Sequence, residues 1–152
     1  MKEMEGDLIQ LALAGEFDVI IHGCNCFCTM GAGIALSIKR IFPEAYQADL
    51  ATEAGDRSKL GTISWAKHTK DGRELIIVNG YTQYNWKGRG VKVDYEAVEQ
   101  VFQLVKEVFT GKRIGYPAIG AGLAGGDWQK IEGIIKEALA GEDHTFVKYK
   151  PK

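Results

Sequence analysis

Cysteine, net charge and long apolar runs are all in short supply in this chain. Its 3 cysteines, Cys24, Cys26 and Cys28, fall inside one pentapeptide, too close together and too odd in number for the disulfide framework of a small secreted fold. A reducing, cytoplasmic setting is the expectation. No stretch approaches the roughly 18 consecutive apolar residues that a membrane span needs, and the opening MKEMEGDL lacks the apolar region of a signal peptide. The 19 Lys and Arg nearly balance the 20 Asp and Glu, for a net charge of −1, which excludes the strongly basic footprint of a general nucleic-acid binder. Repeats, low-complexity tracts and linkers are missing too. What remains is an ordinary globular composition with 45% hydrophobic residues in 152, expected to form one domain over residues 1–152.

Glycine is plentiful, and it gathers in two places. DVIIHGCNCFCTMGAGIALSIKRIF, Asp18 to Phe42, and RIGYPAIGAGLAGGDWQKIEGIIKEAL, Arg113 to Leu139, each run from an apolar strand through a glycine-rich loop toward a helix start. Glycine lets backbone amides come close to an anion, and a helix N-terminus adds a positive dipole, so two such loops can clamp a diphosphate. Neither loop contains Lys or Arg, so dipoles rather than cationic side chains would hold the phosphates.

Three familiar alternatives fit less well. Gly120-Ala-Gly122-Leu-Ala-Gly125 matches GxGxxG, but a dinucleotide-binding unit needs a further strand with an acidic residue about 20 positions on. The last strand carries Phe146, Lys148 and Tyr149 there instead. The GK[ST] ending of a P-loop is absent from both loops. His22-x-Cys24-x-Cys26-x-Cys28 offers four soft ligands, but structural zinc sites pair a CxxC turn with a distant second pair, and there is none. No metal or cofactor is expected.

Strands and helices alternate along the chain, which predicts an α/β fold with helices on both sides of a mixed sheet. Residues 1–6 read as an edge strand, and Asp7 suits the N-cap of a helix carrying Leu8, Ile9, Leu11 and Ala12. Residues 18–22 read as a buried strand and 33–41 as a helix ended by Pro43, which opens another through Glu53. Residues 61–68 and 74–79 flank Asp71-Gly72, a hairpin dipeptide. A polar, aromatic stretch, Tyr81 to Lys92, is a candidate lid with Tyr84, Trp86, Lys87 and Arg89. Asp94 caps a helix to about Phe109, 112–119 is a strand, 127–140 a helix and 144–150 a last strand.

Taken together, Gly6-Asp7-Leu8, IIHGCNCFCTMGAGIAL and YPAIGAGLAGGDW resemble, in order and spacing, the macro domain, an ADP-ribose-binding family with a three-layer α/β/α fold around a mixed sheet. The resemblance spans nearly the whole chain. The HGCNC and MGAGIA runs are similar to the branch containing ADP-ribose 1''-phosphate phosphatases, terminal ADP-ribose glycohydrolases and DNA ADP-ribosyl glycohydrolases.

The resemblance implies that Asp7 receives the adenine amino group beside Leu8, and that Asn25 binds the distal ribose. It implies that Gly31, Ala32, Gly33 and Ile34 face one side of the diphosphate, with Ile119, Gly120, Ala121, Gly122, Leu123 and Ala124 on the other. Asp7 as a simple cap and Asn25 as an ordinary loop residue remain alternatives. For chemistry, His22 has the only nearby side chain titrating near neutrality, and a histidine in the matching position serves the phosphatases. Asp127 could activate water or steady His22, or only cap its helix. His68 and His144 lie on strands away from both loops. The glycohydrolases use a lysine where this sequence has Gln83, after Thr82, and the terminal ones an acid where it has Ala124, whereas the Asp127 position resembles the DNA-acting relatives; Lys87 and Lys92 do not match that lysine. The leading expectation is therefore removal of phosphate from ADP-ribose 1''-phosphate by His22 and Asp127. A hydrolase acting on ADP-ribosylated protein or nucleic acid, and a non-catalytic reader, are the alternatives. ADP-ribose or a derivative is the expected partner, with no membrane.

Overall fold

A computed structural model describes residues 1–87 and 90–150; Gly88 and Arg89 of the expected lid, and the last two residues, lie outside that range. The elements in chain order are β1 (Lys2–Gly6), α1 (Leu8–Leu13), β2 (Val19–Cys24), α2 (Gly33–Ile41), α3 (Pro43–Leu50), β3 (Ile63–Lys70), β4 (Arg73–Tyr81), α4 (Tyr95–Phe109), β5 (Ile114–Tyr116), α5 (Trp128–Ala138) and β6 (His144–Tyr149). The strands form one sheet in the order β1-β6-β5-β2-β4-β3. All neighbours are parallel except β3 against β4.

β2 sits inside the sheet with both faces covered, which is why its sequence VIIHGC is nearly continuously apolar. Successive side chains of a strand point to opposite faces. Val19 and Ile21 thus pack with Val98, Val101 and Phe102 of α4 and Ile131 and Ile135 of α5. Ile20 and Cys24 pack on the other face with Leu8 and Ile9 of α1, Ile38 of α2 and Ala45 of α3. Helices therefore cover both faces of the mixed sheet.

The local signals act as their chemistry requires. Asp7, Asp94 and Asp127 each cap a helix, accepting from the N–H of Gln10 at 3.1 Å, Ala97 at 3.0 Å and Gln129 at 3.0 Å. Asp71 and Gly72, at φ 52° and 74°, make the antiparallel hairpin turn that joins β3 to β4. Several elements are shorter than the sequence suggests, α5 among them, which ends at Ala138 rather than Ala140. α3 stops at Leu50 rather than Glu53, because Thr52 folds back and donates its hydroxyl to the Asp49 carbonyl at 2.6 Å. β5 has three residues rather than eight: Pro117 brings no N–H, and the Ile119 N–H turns to the Pro117 carbonyl at 2.7 Å.

Candidate functional site

The adjacent strands β2 and β5 point the same way, but β2 leads to α2 on one face and β5 to α5 on the other. Such a divergence opens a crevice beyond the C-terminal strand ends, where α/β sheets bind ligands. A cleft of about 680 Å³ lies there, walled by Met30 to Ala35 on one side and by Pro117 to Gly120 and Gly122 to Ala124 on the other.

Backbone conformation shapes both walls. Gly33 starts α2 at φ +58°, and Gly120 turns the second loop at φ +76°, a region that L side chains avoid. A Cβ on Gly33 would stand 3.5 Å from Leu123 Cδ1, so the two loops approach one another across the cleft, and a Cβ on Gly120 would come within 2.6 Å of Val93. No side chain caps α2 at Ala32, so the helix presents first-turn amides that lack an intrahelical partner. Lys92 is the only cationic side chain on the wall among the described residues. Its own N–H donates to the Ala124 carbonyl at 2.7 Å, and its ammonium to the Gly90 carbonyl at 2.9 Å.

Of the anticipated binding residues, Asn25, Gly31 to Ile34, Ile119, Gly120 and Gly122 to Ala124 all line the cleft. Ala121 packs instead against the α4/α5 core. Asn25 is tied into its own turn, donating to Thr29 Oγ1 at 2.7 Å and accepting from the Phe27 N–H at 2.8 Å. Asp7 and Leu8 stand apart from the cleft wall, beside the β1 edge, with Leu8 in the core. In sheet order the sequence runs from Asp7 at β1, through the loops at β5 and β2, to Asn25 and Gln83 on the β4 side.

His22 and Asp127 are not brought together. His22 is on β2, fully buried, and absent from the cleft wall. The Asn79 amide gives its hydrogens to the Ala45 carbonyl at 2.9 Å and Ser64 Oγ at 3.0 Å, which leaves its oxygen to accept from His22 Nε2 at 2.7 Å. Burial pulls the imidazole down to about 4, against a weaker upward effect of Asn79. His22 is therefore a neutral interior group. Asp127 is exposed, and its carboxylate is occupied at the α5 N-cap.

The macro domain family profile matches residues 21–135, which include most of β2, both loops and most of α5. The chain is a member of the macro domain family. It is 35% identical to an uncharacterised 17.5 kDa protein of Enterobacteria phage T4, over 99% of this chain and 97% of that protein. It is 26% identical to a DNA ADP-ribosyl glycohydrolase of Thermus aquaticus, over 84% of this chain but 35% of that protein, so it spans about a third of that relative's length. The solved macrodomain of Thermus aquaticus DarG superposes with a TM-score of 0.71 at 26% identity, over 99% of this chain and 97% of that one. The six-stranded sheet and its flanking helices are the α/β macro fold.

Within this macro domain, the sequence reading of the site missed the cleft's flanks, and three of the wall residues it missed bear on the chemistry. Trp86 and Lys92 belong to the stretch singled out as a lid; Trp86 is 47% exposed and packs edge-on to Phe27 at 5.7 Å. Asp49 is the third, on α3 yet only 1% exposed. Its signal was an acid four residues after Ala45, on the buried face of the helix, where an unpaired carboxylate is out of place. His22 and the three cysteines line up in the sequence, but no three His, Cys, Asp or Glu side chains among the described residues form a cluster able to hold a metal ion. No described helix is long and apolar enough to cross a membrane.

Proposed function

We propose that the cleft binds ADP-ribose and that the protein is a hydrolase, releasing ADP-ribose from a nucleic acid that carries it. The observation that carries the binding is the pair of glycine loops facing each other over β2 and β5, one of them an uncapped helix N-terminus. A diphosphate between them gains backbone hydrogen bonds and a favourable dipole without a cationic cluster. An adenine lying toward the β1 edge would bring its amino group to the Asp7 carboxylate. Asn25 falls on the opposite side, where its amide can meet ribose hydroxyls.

The match to a DNA ADP-ribosyl glycohydrolase over 84% of this chain supports a glycosidic bond as the one cleaved. Water would be the attacking group, because Gln83 has no amine with which to form a covalent adduct. Removal of phosphate from ADP-ribose 1''-phosphate is the second reading, and the first-loop run from His22 to Ile34 favours it. The burial of His22 counts against that reading, since a general acid or base must lie within hydrogen-bond reach of the substrate.

Incubation with ADP-ribosylated DNA, ADP-ribosylated protein and ADP-ribose 1''-phosphate, following free ADP-ribose and inorganic phosphate, separates these readings. Free ADP-ribose from the DNA is the expected result. Phosphate from the third substrate alone would replace it with the second reading, and binding of ADP-ribose with no turnover of any substrate would contradict hydrolysis.

A further inference from the structure

Asp49 is the only acidic side chain on the cleft wall among the described residues, and its carboxylate is half satisfied. Oδ1 accepts from the Tyr81 hydroxyl at 2.7 Å. Oδ2 is buried and meets no donor, the one such side-chain atom among the described residues. The nearby ammonium of Lys59 does not serve it: Lys59 donates to the Cys26 carbonyl at 3.0 Å and to Cys28 Sγ at 3.4 Å, and lies over the Tyr81 ring at 4.7 Å. The main chain around Asp49 is firmly held. Its carbonyl accepts from Cys28 Sγ at 3.1 Å and from Thr52 Oγ1 at 2.6 Å, and Tyr81 holds the side chain through Oδ1. A buried acceptor left without a donor is costly, and here it stands beside a cavity.

Position narrows what could satisfy it. Tyr81 ends β4, and Cys28 belongs to the first loop, so Asp49 lies at the β4 end of the cleft, past the amides of the two glycine loops. A carboxylate repels a phosphate and accepts from a hydroxyl. We propose that Asp49 is a specificity residue: its unpaired oxygen accepts a hydrogen bond from a hydroxyl of the sugar beyond the diphosphate, so the cleft prefers a ligand ending in ribose to one ending in phosphate. This inference rests on the reading of the cleft as an ADP-ribose site.

Asp49→Asn keeps the shape and the oxygen that Tyr81 uses but puts a donor where the free acceptor stood. Calorimetry with ADP-ribose and with ADP, together with a thermal melt, reads the result. The expected outcome is a loss of about tenfold or more in ADP-ribose affinity, unchanged ADP affinity, and a melting temperature equal to or above that of the unsubstituted protein. Unchanged affinity for both ligands overturns the inference. So does an equal loss for both with a lower melting temperature, which would make Asp49 a mere support of the first loop. Failure of the unsubstituted protein to bind ADP-ribose overturns the reading of the cleft itself.

A second measurement needs no variant. The groups facing Asp49 are Lys59, Tyr81, Cys24, Cys26 and Cys28, and burial pushes Tyr81, Cys24 and Cys26 upward, away from the acid range. Burial also raises the Asp49 carboxyl above its ordinary value, against its hydrogen bond from Tyr81, the charge of Lys59 and the nearby Cys28 thiol. ADP-ribose affinity should therefore weaken as pH falls from neutral toward the acid range. A flat profile contradicts the proposal.

Discussion

His22 spends its imidazole on the interior, and that has a measurable consequence. Its value in the folded protein is pulled from 6.5 to about 4, so the folded state binds fewer protons than the unfolded one between those limits. The stabilisation is present in full above the unfolded value and is lost as pH falls toward 4. Its size is about 3 kcal/mol at 1.36 kcal/mol for each pKa unit. His144, buried beside the Tyr116 hydroxyl at 2.7 Å, is shifted in the same direction by burial. Asp49, raised, acts in the opposite sense. Denaturant titrations should show stability falling between neutral and acid pH, with a shallower fall in His22→Ala. The same substitution strands the Asn79 oxygen and leaves a cavity, which should cost about 3 kcal/mol near neutrality and roughly 6–12 °C in melting temperature. ADP-ribose affinity of the folded fraction should hold; an unchanged melt with lost turnover would return His22 to the chemistry. The sequence marked His22 as interesting but could not say which way it faced. The strand end looks alike whether it opens onto the cleft or onto Asn79, and only the pairing of β2 with β4 decides. Asp49 was hidden for the opposite reason, since a helix surface is where acids ordinarily sit.

The glycine loops work as elements, and their most demanding position is Gly120. Gly120→Ala meets both a left-handed backbone and the Val93 side chain at 2.6 Å, so the second loop must shift. A destabilisation of about 2 kcal/mol is expected, from roughly 1 kcal/mol of backbone strain with a similar overpacking cost. A fall of about tenfold in ADP-ribose affinity should accompany it if the loop moves its amides by enough to lose one charge-assisted bond. Calorimetry showing full affinity would mean that the second loop does not hold the phosphates. At this scale the sequence was informative. Three aspartates announced three helix starts, and Asp71-Gly72 announced the hairpin, because caps and tight turns depend on residues within a few positions. The errors lay at element ends, where single residues compete with the regular ladder: Pro117 ends β5 early, and Thr52 folds back onto α3, shortening both elements at the rim of the cleft.

Over the whole molecule, the sheet order lays the site out in a line. β5 and β2 carry the two loops at the centre, Asp7 lies toward one edge and Asn25, Gln83 and Asp49 lie toward the other. The order itself was not legible, because hydrophobic patterns reveal strands and not their neighbours; the expected pairing was limited to the hairpin of β3 and β4. That order matches a ligand with a base at one end, a diphosphate in the middle and a sugar at the other. The most direct test of the account is the crystal structure of the protein soaked with ADP-ribose. The diphosphate should lie between the first turn of α2 and the Gly122 to Ala124 turn, accepting from their main-chain N–H groups, with the second ribose toward Asp49. Density for the ligand elsewhere on the surface, or a diphosphate held by side chains away from these turns, would contradict it.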